Sequence, residues 1–105
     1  MDIRQYEQLK PSVAVKIENQ KLRYNTLNQN TVWRVQTLFS KEPATINWLN
    51  RMDERTILID VGANVGMYSI YAAKLKNAHV YAFEPESQNY STLIKNIISN
   101  YGLSP

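Results

Sequence analysis

Apolar positions along the chain follow two different patterns. From residue 56 onward they come in compact blocks, whereas before it they are scattered among polar residues. Thr56 to Val61 reads as a continuous apolar strand ending in an acid, Asp60. A run of this kind suits a central parallel strand covered on both faces. The spacing then predicts a helix over 65–76, in which Ile70, Tyr71 and Ala73 pack and Lys74 and Lys76 sit near the C-terminal dipole. His79 to Phe83 reads as a second strand, which leads to another acid, Glu84, and is stopped by Pro85. Ser87 is placed to cap a helix reaching about Tyr101, with Leu93, Ile94, Ile97, Ile98 and Tyr101 as its apolar face and Gly102 as its stop. The order strand–helix–strand–helix predicts an α/β fold with parallel strands and a right-handed crossover.

Residues 1–55 are more polar and less regular. Val13, Val15 and Ile17 alternate with Ala14 and Lys16, the period of a short strand. Glu18 to Lys21 is a polar turn candidate, and Leu22 to Leu27 can return as a second strand, giving a hairpin. Val32, Val35, Leu38 and Phe39 recur at helical spacing and predict a helix over 31–40. Pro43 ends that helix or starts the next one, and Thr45 is placed to cap a helix over 46–52, with Ile46 and Leu49 on one face and Trp48 and Met52 on another. Two regions result: a hairpin and helical extension over 1–55, and the strand–helix–strand–helix unit over 56–105. Trp33, Trp48 and the tyrosines are expected mostly in the core.

Composition narrows the class. Apolar content of 44% and charged content of 20% are those of an ordinary soluble domain. No run of eighteen apolar residues exists to cross a membrane, and the N-terminus lacks the apolar core of a signal peptide. The absence of cysteine fits a reducing cytoplasm and removes thiolate metal sites. The single histidine, His79, rules out a histidine metal cluster within the chain, so no metal is expected. A net charge of +3 without a Lys/Arg-rich run gives no basic stripe for nucleic acid, and no membrane partner is expected.

The chemistry concentrates at the ends of the two strands. Only three glycines occur in the chain, and Gly62 and Gly66 fall four residues apart after the first strand. Gly62 permits a sharp turn off the strand and a close ligand approach to the main chain. Gly66 opens a helix whose unpaired N–H groups face the same crevice. The pattern is Gly-x-x-x-Gly preceded by Asp60, with Ala63 and Asn64 in the middle of the turn. It departs from the G-x-G-x-x-G turn that binds a dinucleotide pyrophosphate, which weighs against a nucleotide-dependent oxidoreductase. A carboxylate beside the turn disfavours a diphosphate and favours a cationic ligand portion. Glu84, an acceptor-only carboxylate, can take both hydroxyls of a ribose. Taken singly, Asp60 could merely cap the following helix, Glu84 could be a solvated loop acid, Asn64 could simply favour a left-handed turn, and Glu42 could be a surface residue.

The run Asp60-Val61-Gly62-Ala63-Asn64-Val65-Gly66 followed by Tyr81-Ala82-Phe83-Glu84-Pro85 resembles the first two motifs of class I S-adenosylmethionine-dependent methyltransferases. More narrowly it resembles the FkbM-type family, through Lys41-Glu42-Pro43, Thr45, Trp48, Tyr68-Ser69, Asn89-Tyr90, Leu93, Asn96 and Asn100. The resemblance covers roughly residues 31–103. It implies a Rossmann-like sheet of about seven strands, of which this chain offers two. It also implies S-adenosyl-L-methionine as cofactor and methyl transfer to an oxygen, often a hydroxyl on a sugar or secondary metabolite. Carried over, Asp60, Gly62, Ala63, Asn64 and Gly66 would cradle the methionine part of the cofactor. Glu84 would bind the ribose, Pro85 would shape the loop beside it, and Glu42 and Thr45 would cover the methionine end.

The expectation is therefore an N-terminal fragment holding half of a cofactor site, inactive by itself. The adenine-binding and acceptor-binding segments and any catalytic base are expected beyond Pro105, and the parent's acceptor is expected to be a small molecule or glycan. The alternative is a non-catalytic module that associates with copies of itself through an exposed sheet edge.

Overall fold

The computed structural model describes residues 12–17, 20–25 and 42–101. The helix expected over 31–40, the turn at 18–19, Trp33, Lys41 and Gly102 lie outside them. Strands β1 (Ser12–Ile17) and β2 (Gln20–Asn25) form the expected antiparallel hairpin, in register Ser12 to Asn25 and Ile17 to Gln20. The second strand starts two residues earlier than its apolar pattern suggested. Leu22 and Tyr24 point inward and are fully buried, while Lys21 and Arg23 are exposed.

Helix α1 (Pro43–Leu49) begins three residues before the expected start. Pro43 occupies the first turn, where its missing N–H costs nothing. Glu42 takes the cap position instead of Thr45, its carbonyl accepting the N–H groups of Thr45 at 3.1 Å and Ile46 at 3.2 Å. Ile46 and Leu49 are buried as expected, but Trp48 is 53% exposed, so it is no core residue. The tyrosines divide likewise: Tyr24 and Tyr71 are buried, whereas Tyr81, Tyr90 and Tyr101 are half exposed.

Strand β3 (Ile57–Val61), helix α2 (Met67–Lys76) and strand β4 (His79–Phe83) make a strand–helix–strand unit. The strands pair in parallel, Ile57 opposite His79 and Val61 opposite Phe83. Helix α2 starts at Met67 rather than Val65, because Asn64 (φ +55°) and Gly66 (φ +89°) hold the preceding turn in the left-handed region. It ends at Asn77, also left-handed, which lets the Ala78 N–H return to the Ala72 carbonyl at 3.2 Å. Helix α3 (Ser87–Tyr101) closes the described chain. Its cap is Glu86 rather than Ser87: the Glu86 carboxylate accepts the Asn89 N–H at 2.7 Å.

One apolar cluster joins Leu22 and Tyr24 of the hairpin, Ile46 and Leu49 of α1, Leu58 of β3, and Ile70, Tyr71, Ala72 and Leu75 of α2. Each such aliphatic side chain contributes about 1.5–3 kcal/mol on burial. Two expectations fail here. Among the described residues the β3–β4 sheet is covered on one face only: Leu58 is 8% exposed, but Ile57, Ile59, Val61, Tyr81 and Phe83 on the other face range from 55% to 79%. And α3 buries Leu93 together with Thr92, Asn96 and Asn100, while Ile94 and Tyr101 remain exposed. Hydrogen bonding explains the second reversal, since the two buried amides find backbone partners on β2.

Candidate functional site

The parallel pairing sets Asp60 beside Ala82, so the turns that follow β3 and β4 leave the sheet at the same end. They are tied together there. The Gly62 and Ala63 N–H groups donate to the Phe83 carbonyl at 2.8 and 3.0 Å. The Asn64 N–H donates to Glu84 Oε1 at 2.8 Å, and the Glu86 N–H donates to Glu84 Oε2 at 2.9 Å. Pro85, exposed and without an N–H, lies between those two glutamates, so the next donor able to reach back to Glu84 belongs to Glu86. Glu84 is thus a fixed, half-buried carboxylate facing the glycine turn, not a free loop acid.

Asp60 is fixed as well. Ser69 of α2 donates its hydroxyl to Asp60 Oδ2 at 2.5 Å, a length typical of a charge-assisted bond. The helix start is capped by Gly66 with no side-chain bond, so Asp60 does not serve as its cap.

The two glycines have separate duties. Gly62 (φ +75°) has nothing within 4 Å of where a Cβ would stand, so the space over it is open. Gly66 is buried, and a Cβ there would collide with Leu93 Cδ1 of α3. One glycine leaves room above the turn, and the other lets two helices meet beneath it. Ala63 and Val65 point inward and are buried, whereas Asn64 is exposed. Ala63 therefore supports the turn from below.

In the first turn of α2, the Tyr68 hydroxyl donates to Glu42 Oε2. Burial, then the hydrogen bond to Glu42 and its charge, push the Tyr68 phenol up to about 12. Thr45 is half-buried in the first turn of α1, its N–H spent on the Glu42 carbonyl. The structure thus brings the Asp60–Asn64 turn and Glu84 together at one end of the sheet, and ties Glu42 to Tyr68, the neighbour of Ser69. Ser69 and Tyr68 anchor two of the acids; residue type alone did not reveal either role, although both lie within the first helical turn after Gly66.

Segments 60–69 and 83–89 contain Asp60, Glu84 and Glu86 but no lysine or arginine, and Glu42 adds a fourth carboxylate. Such a surface suits a cation or a neutral hydroxylated ligand and repels phosphate.

These features define an α/β protein with an anchored acid at the carboxyl end of each of two parallel strands. In sequence the chain is similar to the hexuronic acid methyltransferase AglP of Haloferax volcanii, with 28% identity over 90 residues. That match takes in 78% of this chain and 37% of the relative, so the chain spans well under half the length of the curated relative it matches. No family model matches the chain, and no solved structure matches it. Among the described residues no helix is long and apolar enough to cross a membrane.

Proposed function

We propose that this chain carries the cofactor-binding part of an S-adenosylmethionine-dependent methyltransferase of FkbM type, built on a Rossmann-like sheet. The observation that carries the reading is the joined pair of anchored acids, Asp60 held by Ser69 and Glu84 held by Asn64, on either side of an open Gly62. A ligand with an ammonium, a sulfonium and a ribose but no phosphate matches that pair of acceptors. Asp60 would hold the ammonium side, Glu84 would accept from the ribose hydroxyls through its remaining lone pairs, and Gly62 would let the ligand lie against the main chain. Glu42, oriented by Tyr68, closes the methionine end. When bound, the cofactor supplies an electrophilic methyl group. This chain's residues contribute position and charge, which dominate the barrier of an in-line displacement.

The acceptor reading is a hydroxyl on a sugar or related metabolite, supported by the resemblance to the FkbM-type family and by the named substrate class of the haloarchaeal relative. Calorimetric titration of S-adenosylmethionine into the chain tests the site. Binding is expected, weakened at least tenfold by Asp60→Ala and by Glu84→Ala. Binding unchanged in both variants removes the reading.

A second reading is favoured by one observation, the uncovered sheet face of Ile57, Ile59, Val61, Tyr81 and Phe83. A second copy of the chain could cover it, making a self-associating module. Five residues exposing on the order of 120 Å² each would bury about 1,200 Å² across two copies, the lower end of a standard interface. Sedimentation separates the readings: a dimer dissociated by Ile59→Lys supports this one, and a monomer at high concentration eliminates it.

A further inference from the structure

The β1–β2 hairpin stands outside the parallel sheet, yet two buried side chains connect it to the glycine turn. Asn96 of α3 is fully buried. Its Oδ1 accepts the Asn25 N–H at 2.6 Å and the Asn25 side-chain amide at 2.9 Å, while its Nδ2 donates to the Val65 carbonyl at 2.6 Å. One amide therefore spends its acceptor on the hairpin and a donor on the residue just before Gly66. Tyr24 of β2, also fully buried, donates its hydroxyl to the Met67 carbonyl at 3.0 Å, on the residue just after Gly66.

Asn100, one turn further along α3, secures the same strand. Its Oδ1 accepts the Arg23 N–H at 2.8 Å and its Nδ2 donates to the Arg23 carbonyl at 2.7 Å. This is the two-bond exchange that a neighbouring antiparallel strand would make. Helix α3 thus completes the outer edge of β2 with side-chain amides. Lys74 of α2 adds bonds to the Lys21 carbonyl at 3.0 Å and the Asn100 carbonyl at 2.8 Å.

We infer that the hairpin is a clamp that sets the backbone of the glycine turn, with Asn96 and Tyr24 as its positioning residues. Gly66 sits at φ +89°, and glycine reaches many other conformations with equal ease. Something must hold it there, and the two carbonyls flanking it are the ones tied to β2 or its anchor. The consequence for ligand binding rests on the methyltransferase reading of the crevice; the clamp itself does not.

Amide hydrogen exchange on the chain without ligand tests the clamp. Tyr24→Phe removes one hydroxyl and keeps the ring. Asn96→Asp keeps the acceptor facing Asn25 and loses the donor facing Val65. In Tyr24→Phe the Gly66 and Ile70 amides are expected to exchange roughly tenfold faster, the worth of one lost hydrogen bond, with β3 and β4 amides unchanged. Asn96→Asp should do the same at Gly66. Unaltered Gly66 exchange in both variants overturns the clamp, and so does equal acceleration of all amides, which marks general destabilisation only. The same samples are then titrated with S-adenosylmethionine. A selective exchange effect in a chain that binds no cofactor upholds the clamp and removes the reading of the crevice; binding with unaltered exchange does the reverse.

Discussion

The two faces of the β3–β4 sheet come from the same ten residues and meet opposite fates. Leu58, Asp60, Val80 and Ala82 lie on the side that α2 covers and are buried or half-buried. Ile57, Ile59, Val61, Tyr81 and Phe83 face outward with more than half of their surface in contact with solvent. Both sets are apolar enough for an interior. A parallel strand is normally covered on both sides, and its sequence records that. The described chain supplies a helical layer for one side, so the other is an apolar face of the size that marks an interaction surface. Both acids of the crevice stand at the carboxyl end, where the sheet meets its turns, and each is anchored from one of those turns or from α2.

The largest effect that would sharpen this contrast comes from shortening one side chain on each face. Leu58→Ala should cost about 2–4 kcal/mol, as deletions in a packed core do. Ile59→Ala, one residue away, should cost under about 1 kcal/mol, because little is packed against it. Urea unfolding of the two variants gives the comparison directly; equal losses would mean that the outer face is covered in solution.

A second contrast lies at the turn. Gly66→Ala meets both a left-handed backbone and the Leu93 side chain and should lose roughly 3 kcal/mol. Gly62→Ala meets only the backbone and should lose about 1–2 kcal/mol. If the two variants melt at the same temperature, the assignment of one glycine to helix contact and the other to open space fails.

A smaller effect appears in alkali. Burial, then the neighbouring Tyr71, raise the Tyr24 phenol, and burial with the Glu42 bond raises that of Tyr68 to about 12. Both folded values exceed the unfolded value of 10.0, so the folded chain keeps these protons longer. Their stabilisation is complete below pH 10 and is lost as pH rises through 12 for Tyr68 and higher for Tyr24. Urea midpoints measured from pH 9 upward should decline over about two pH units. Tyr68→Phe should flatten that decline in part, and an identical slope in the variant would disconnect Tyr68 from Glu42.

Much of the α/β unit was legible in the sequence. Period and punctuation placed β3, α2, β4 and α3 to within two residues, because each block is bounded by glycine, proline or a left-handed asparagine. Helix α1 starts at Pro43, one of the two roles the sequence offered that residue, and not after a Thr45 cap, since proline is as good a first residue as it is a breaker. The inward side of α3 was misjudged: an apolar stripe through Ile94 and Tyr101 is the natural reading, and buried amides are chosen only when another segment offers backbone groups to bond.

The sequence by itself determined the local terms of this protein. It set the strand–helix–strand order, the left-handed turn that glycine and asparagine permit, and the acid at the end of each strand, because these depend on residues close together in the chain. Only the tertiary structure decided which acids are anchored, and by what, which glycine faces open space, and that Asn96 joins a hairpin some seventy residues away to the Val65 carbonyl. Hydrogen bonds between distant segments leave no period in a sequence, and only the folded chain brings their donors and acceptors together.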